Sequence, residues 1–259
     1  MFSAEDIAAL KAEIIADPMQ GMSTWMAQYE LKIIDEKTAI FPRSVMSEKN
    51  CYFDLDDLYE KKLAFSLTCD PAVSERQEAD ETAFTVRAID DLGIWYVVYV
   101  YAKRGMREED IVNKYVELLA EWSPDLATIE TISFQRNLQY AIEKKCLEEK
   151  VFFPYQKLPA GFLQGSKNNS DLKIRGLAPL YTTGKIKFLR NCSETAILLD
   201  QLWRFPRSAK DDRIDSLSQN LWLPIVPTRV WKTKEVIETP SDRDRYGRVI
   251  NTNKVGLYI

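Results

Sequence analysis

Carboxylates follow short apolar runs at several points of this sequence, and they are the residues best suited to chemistry. Asp70 closes a mostly apolar run and precedes a proline, and Glu130 closes a second apolar run. Asp212 and Asp215 are three residues apart, a spacing that places both on one face of a helix. Oxygen ligands of this kind select hard cations such as Mg²⁺ or Mn²⁺ over zinc. Two such cations roughly 4 Å apart suit the hydrolysis of a phosphodiester.

Each acid taken alone has a simpler interpretation. An Asp at the end of a strand most often caps a turn, and acids in the first turn of a helix are favoured by the helix dipole. A metal site is favoured because the pattern repeats, with Asp80 lying beside a further predicted strand. The sequence contains no histidine, which excludes His general bases and His-ligated zinc. Any hydrolysis is therefore left to carboxylates and a hard metal.

Composition narrows the class of protein further. The chain has 259 residues, of which 46% are hydrophobic and 29% charged, so a globular protein is expected. Its net charge of −4 argues against nonspecific coating of nucleic acid, and any contact with DNA is expected to be local. The sequence contains neither a P-loop nor a dinucleotide-binding glycine motif. The four cysteines are widely spaced and form no CxxC pair, which predicts reduced thiols.

The elements that must position the acids alternate between strands and helices. Residues 63–70, 82–89 and 94–101 are rich in β-branched and aromatic residues with turn residues between them, which predicts an antiparallel meander. Further strands are predicted at 126–130, 151–155 and 185–189, and helices at 108–121, 134–149, 172–181, 193–204 and 211–221. This order predicts an α/β fold, a mixed β-sheet flanked by helices with antiparallel first three strands.

Both ends of the chain are expected to lie outside this domain. Residues 1–60 contain predicted helices at 3–16 and 23–30 but too little apolar sequence for a core, so they are interpreted as a linker. The domain itself is placed at 61–224, and residues 225–259, rich in Pro, Lys and Arg, are predicted to be a tail. No apolar stretch is long enough to span a bilayer and the N-terminus lacks signal-peptide features, so an intracellular protein is expected.

Three segments that carry the acids also match a known set of motifs. They are Cys69-Asp-Pro-Ala72 with Asp80-Glu-Thr-Ala83, Ile129-Glu130 with Phe134-Gln135, and Ala209-Lys-Asp-Asp-Arg-Ile-Asp-Ser-Leu217. Two connecting segments, at 177–184 and 200–206, match as well. Together these segments resemble the C-terminal nuclease domain of the large terminase subunits of tailed bacteriophages. The resemblance runs from about residue 20 to Pro224.

The resemblance implies an RNase H-like fold and a metal-dependent endonuclease, which cuts double-stranded DNA with little sequence specificity during viral genome packaging. Two Mg²⁺ or Mn²⁺ ions are the implied cofactors. The implied ligands are Asp70, Glu130 and Asp212, with Asp215 and Asp80 as auxiliary ligands. Implied partners are double-stranded DNA, the portal protein and the small terminase subunit, in the host cytoplasm and without a membrane.

Several points stay open at the level of sequence. Asp211 competes with Asp212 for the third ligand position, and the spacing of three residues to Asp215 favours Asp212. Five basic residues either hold the phosphate backbone near the metals or form a solvated surface: Lys167, Lys173, Arg175, Lys185 and Lys187.

Two other functions also remain open. One is a DNA- or portal-docking module with little activity in isolation, and the other is an RNase H-like resolvase or transposase. The family's P-loop ATPase is absent from this sequence, so an excised domain or truncated chain is expected, without translocation activity.

Overall fold

The structure is a computed structural model that describes residues 9–13, 39–72, 81–130, 136–159, 172–208 and 210–231. Asp80, Lys167 and Phe134-Gln135 lie outside the described residues, as do the predicted helix at 23–30 and residues 232–259 of the predicted tail. None of the helices within these ranges is both long enough and apolar enough to cross a membrane.

A mixed sheet of seven strands forms the centre of the fold. The strands are β1 (Tyr52–Phe53), β2 (Lys62–Asp70), β3 (Glu81–Asp90), β4 (Trp95–Arg104), β5 (Leu126–Ile129), β6 (Ile186–Leu189) and β7 (Arg229–Val230). Their order is β1-β6-β4-β3-β2-β5, and β7 pairs with the start of β2. Strands β2, β3 and β4 are antiparallel, whereas β5 is parallel to β2 and β6 is parallel to β4. The predicted mixed sheet with an antiparallel meander is thus confirmed.

Helices cover both faces of this sheet. They are α1 (Ser44–Glu48), α2 (Glu108–Trp122), α3 (Arg136–Glu149), α4 (Ala178–Thr182), α5 (Ser193–Arg204) and α6 (Asp212–Ser218). Helices α2 and α3 pack on one core, and the other four pack on the second core across the sheet. Apolar residues recur at helical spacing in α2 and α5, so each buries one side against the strands.

Strand β2 separates the two faces by alternation of its side chains. Phe65, Leu67 and Cys69 lie in the core under α2 and α3. Ser66 and Thr68 point to the opposite face, where they form hydrogen bonds with α6 and the turn after it. Asp70 continues the second row, so the end of β2 directs its carboxylate toward α6.

Three predicted elements differ from the structure. Residues 151–155 form only a single bridge, between Ala127 and Tyr155, because Pro154 has no N–H for a ladder. The helix predicted at 172–181 is two short pieces, a turn at 172–175 and α4, with Gly176 between them. The helix predicted at 211–221 is α6 followed by a 3-10 turn over Gln219–Trp222.

The packed region extends beyond residues 61–224 on both sides. Phe41, Val45 and Met46 are buried in the core under α5 and α6, and β1 pairs with β6. On the other side, β7 pairs with β2, and Trp231 is buried in the core under α2. Parts of the predicted linker and tail therefore complete the two cores. The division into three parts remains a prediction.

Candidate metal centre

The pairing of β2 with β5 places Asp70 and Glu130 side by side. Cys69 lies opposite Ile129 in this parallel pair, and the Glu130 N–H donates to the Cys69 carbonyl at 3.0 Å. Cys69 and Ile129 are both buried in the core under α2 and α3. Because side chains alternate along a strand, the next residue on each chain faces the other way. Asp70 and Glu130 therefore share the face that α6 covers.

The packing of α6 on β2 brings its acids to the same place. Thr68 Oγ1 donates to the Ser216 carbonyl at 2.8 Å. Further along, Ser66 Oγ donates to Asn220 Oδ1 at 2.6 Å. Each step of two residues on the strand, about 6.7 Å, thus matches a step of four on the helix, about 6 Å. The next step in this register sets Asp70 against the start of α6.

Electrostatics show that the acids form one group. Burial raises the pKa of the Asp70 carboxyl well above its ordinary value. The carboxylates of Asp215, Glu130 and Asp212 raise this pKa further, in that order, because like charges disfavour ionisation. The ammonium of Lys173 acts in the opposite direction. Each of these three acids therefore lies close enough to Asp70 to disfavour its ionisation in the absence of a cation.

The choice among the three acids at the start of α6 is narrowed by their exposure. Asp211 is exposed and precedes the helix, whereas Asp212 is buried with 7% exposure. Asp215 is half-buried and contributes more than Asp212 to the raised pKa of Asp70. The geometry therefore favours Asp212 and Asp215 together over Asp211.

Lys173 occupies a different position from that of a surface lysine. Its Nζ lies 3.3 Å from Oε1 of Glu130, and only 13% of the Lys173 side chain and 8% of the Glu130 side chain are exposed. The turn at 172–175 therefore brings a positive charge into the acid cluster. From sequence alone, Lys173 either holds the phosphate backbone or lies on a solvated surface, and the structure makes it the ion-pair partner of a candidate ligand.

The other described basic residues of that set have different surroundings from those of Lys173. Arg175 is exposed, with its guanidinium 5.8 Å from the Phe205 ring centroid. Lys185 and Lys187 stand at the start of β6, and Lys187 donates to a backbone carbonyl in the turn before β1. The strand register across β4 and β3 places Lys187 level with Phe65 of β2. Phe65 is five residues from Asp70, which is roughly 17 Å along the strand.

Two buried arginines near α6 were missed from the sequence. Arg213 donates to Glu194 and Glu81, and Arg87 is buried on β3 beneath the turn that follows α6. In the sequence, Arg213 is one charge in a charged segment and Arg87 one polar residue in a strand. No local pattern distinguishes either of them, because their partners come from distant parts of the chain.

The acid cluster suits a hard divalent cation by its chemistry. All of its donors are carboxylate oxygens, and their repulsion is the kind that a bound cation relieves. As the side chains stand, the described residues contain no group of three or more Asp, Glu or Cys in position to hold one metal ion. Binding of a divalent cation by this donor set would require the carboxylates to turn toward the ion.

Similar folds are found among solved structures, whereas no protein-family profile and no curated protein matches the chain. The large terminase nuclease from thermophilic phage G20c with bound zinc is 19% identical, with a TM-score of 0.46 over 68% of this chain and 96% of that one. The human cytomegalovirus terminase nuclease domain, Mn-soaked and inhibitor-bound, is 14% identical, with a TM-score of 0.46 over 70% and 93%.

A third similar structure is the fowlpox virus Holliday junction resolvase, 12% identical, with a TM-score of 0.38 over 61% of this chain and 95% of that one. At these identities the likeness concerns the fold. The solved structures that are similar in fold thus include large terminase nuclease domains, the class that the sequence motifs resemble.

Proposed function

We propose that this protein is a metal-dependent endonuclease that cuts double-stranded DNA with little sequence specificity during viral genome packaging. The observation that carries the proposal is the convergence of Asp70, Glu130, Asp212 and Asp215 from three elements, with the pKa of Asp70 raised by the other three. A structural role for four repelling carboxylates is costly, whereas perturbed acids are typical of functional sites.

The four acids would hold Mg²⁺ or Mn²⁺, and two such ions supply an activated water and stabilise the leaving oxygen in phosphodiester hydrolysis. The fold holds the backbone of these residues in place. Asp70 ends β2, Glu130 follows the paired strand β5, and Asp212 and Asp215 sit on a helix that is hydrogen-bonded to β2. Lys173 holds the Glu130 side chain and offsets part of the negative charge, which favours the approach of an anionic phosphodiester.

The packaging context follows from the motif resemblance rather than from the site. In that context the partners would be the portal protein and the small terminase subunit, and the protein would act in the host cytoplasm. Asp80, which lies outside the described residues, is proposed as a further auxiliary ligand.

Cleavage of plasmid DNA tests the chemistry. The wild-type protein is incubated with supercoiled plasmid in Mn²⁺, Mg²⁺ or EDTA, beside the variants Asp70→Asn and Asp91→Asn. Asp91 is exposed in the turn between β3 and β4, at the edge of the sheet remote from Asp70. We expect nicking and linearisation with either metal, none in EDTA, a loss of at least about 100-fold in Asp70→Asn, and no loss in Asp91→Asn.

Equal cleavage by the wild type and Asp70→Asn would contradict the assignment. Binding of DNA in EDTA with no cleavage in either metal would favour the docking module instead. Strong preference for a four-way junction over linear duplex, measured in the same assay, would favour the resolvase alternative.

A further inference from the structure

Helix α6 needs support at its first turn. It carries Asp212 and Asp215 but is only seven residues long. Hydrogen bonds with β2 side chains fix its later part at Ser216 and the following turn at Asn220. The first turn instead faces Asp70, and without a cation these carboxylates repel one another. Other contacts must therefore hold this turn in place.

The side chain of Arg213 makes such contacts. It lies between the two acids in sequence, and only 6% of it is exposed. Its Nε and Nη2 donate to Oε2 of Glu194, in the first turn of α5, at 3.2 and 2.9 Å. Its Nη1 donates to Oε2 of Glu81, the first residue of β3, at 2.5 Å. One guanidinium thus ties the start of α6 both to α5 and to the sheet.

Only an arginine can make this connection. The guanidinium is planar and presents several N–H donors in a fixed fork, so it bonds two carboxylates in set directions. A lysine at the same position keeps the charge but presents it as a single mobile ammonium. Glu81 and Glu194 belong to different elements, and both contacts are lost or loosened together if the fork is removed.

We infer that Arg213 is a positioning residue, which sets Asp212 and Asp215 relative to Asp70 and thereby the affinity of the acid cluster for its divalent cation. This role rests on the proposed function. Arg213 acts through the helix backbone on both of its neighbours, and its own side chain points to Glu81 and Glu194.

Calorimetric titration of the full chain with MnCl₂ tests this role. Arg213→Lys should bind Mn²⁺ about 10–100-fold more weakly, as is typical when a partner behind a metal ligand is changed. The Mn²⁺ concentration for half-maximal plasmid cleavage should rise by the same factor, while the rate at saturating Mn²⁺ stays close to that of the wild type. A residue that only stabilises the fold would lower the melting temperature without this change in affinity.

Two further variants serve as controls. Arg104→Lys alters an exposed arginine that pairs with the same Glu81 from the end of β4, at 3.3 Å, and should leave Mn²⁺ affinity unchanged. Glu194→Gln weakens the contact between Arg213 and Glu194 and should weaken Mn²⁺ binding, as Arg213→Lys does. This variant tests the positioning role even if Arg213→Lys fails to fold. In the double variant, the effects of Arg213→Lys and Glu194→Gln should not add, because both disrupt one contact.

Unchanged Mn²⁺ affinity in a folded Arg213→Lys or in Glu194→Gln would overturn the positioning role, and so would an equal loss in Arg104→Lys. These outcomes leave the proposed function intact as long as the wild type binds Mn²⁺ and Asp70→Asn does not. A wild-type protein that binds no Mn²⁺ would overturn both.

Discussion

Asp70 is destabilised as an anion by its surroundings. Burial is the largest cause of its raised pKa, and the carboxylates of Asp215, Glu130 and Asp212 add to it. Lys173 offsets only part of this effect, because the net shift remains upward. In the metal-free protein, ionisation of Asp70 therefore carries a free-energy cost that a bound divalent cation would offset.

Replacing Asp70 by Asn should stabilise the metal-free protein. The pKa of Asp70 is higher in the folded protein than in the unfolded chain. Folding therefore favours the protonated form, and the stability that this contributes is complete below the unfolded-state pKa. It is lost as the pH rises through the folded-state pKa. In EDTA, the free energy of unfolding of the wild type should fall as the pH rises from about 4 toward 7. The unfolding free energy of Asp70→Asn should fall less over this pH range. At pH 7 this variant should melt about 2–4 °C above the wild type, which corresponds to ~1 kcal/mol of unfolding free energy.

Thermal melts across this pH range, in EDTA, measure the effect in both proteins. Asp91→Asn is the matched control, since Asp91 is an exposed acid that should leave the pH dependence unchanged. Added Mn²⁺ should stabilise the wild type at pH 7 more than it stabilises Asp70→Asn. Parallel curves for the wild type and Asp70→Asn would show that Asp70 ionises without penalty.

At the scale of elements, a buried polar seam joins α6 and its following turn to the sheet. Arg87 of β3 is 1% exposed and donates to Ser66 Oγ at 3.0 Å, and to the carbonyls of Asn220 and Leu223 at 3.1 and 3.2 Å. Its guanidinium lies 4.3 Å from the Trp95 ring centroid. Burial lowers the pKa of Arg87 to about 9, so it is still charged at neutral pH.

The variant Arg87→Met should lower the free energy of unfolding by about 2–3 kcal/mol, because two buried carbonyls lose their donors. Urea denaturation followed by tryptophan fluorescence measures this change. Lys103→Met on the neighbouring strand β4 is the control, since Lys103 is exposed and should shift the free energy by less than about 0.5 kcal/mol. Equal stability of the two variants would mean that the seam does not depend on Arg87.

Elements with strong local periodicity could be predicted from sequence, and elements held by distant partners could not. Strands β2, β3 and β4 and helices α2 and α5 were placed within a few residues of their observed bounds. Strands β1 and β7 were missed because two residues carry no alternation, and each exists through pairing with a distant strand. That Asp70 and Glu130 lie at neighbouring strand ends could be predicted because each closes an apolar run, and the parallel pairing of β2 with β5 agrees with this.

The surroundings of the basic residues, in contrast, could not be predicted from local sequence. Lys173, Lys185 and Lys187 look alike in sequence, yet Lys173 lies beside Glu130 while the other two stand at the start of β6. Arg213 differs from any solvated arginine only through partners 132 and 19 residues away in the chain. Sequence spacing therefore predicts which acids are candidates, whereas the partners of Lys173 and Arg213 required the tertiary structure.

At the scale of the whole molecule, segments on both sides of residues 61–224 close the two cores. Phe41 is 1% exposed and makes edge contacts with Tyr181 and Phe205, at 5.3 and 6.0 Å between ring centroids. The ring centroid of Trp231 lies 5.1 Å from that of Phe65, and Trp231 stacks on Trp122 with 6.4 Å between ring centroids. The first pair of contacts belongs to the α5 side of the sheet, and the second belongs to the α2 side.

Phe41→Ala and Trp231→Ala should each lower the free energy of unfolding by about 3–5 kcal/mol, because removing a buried aromatic ring loses its transfer free energy and leaves a cavity. Urea denaturation of the full chain measures both. Val226→Ala, also outside residues 61–224 but 76% exposed, should change the free energy of unfolding by less than about 0.5 kcal/mol.

If all three variants were near neutral, residues 39–60 and 225–231 would be appendages, and the domain would end where the sequence alone places it. A large loss for the two aromatic residues alone would mean that the cores on both faces of the sheet need these segments, and any shortened form of the chain would have to retain residues 39–231.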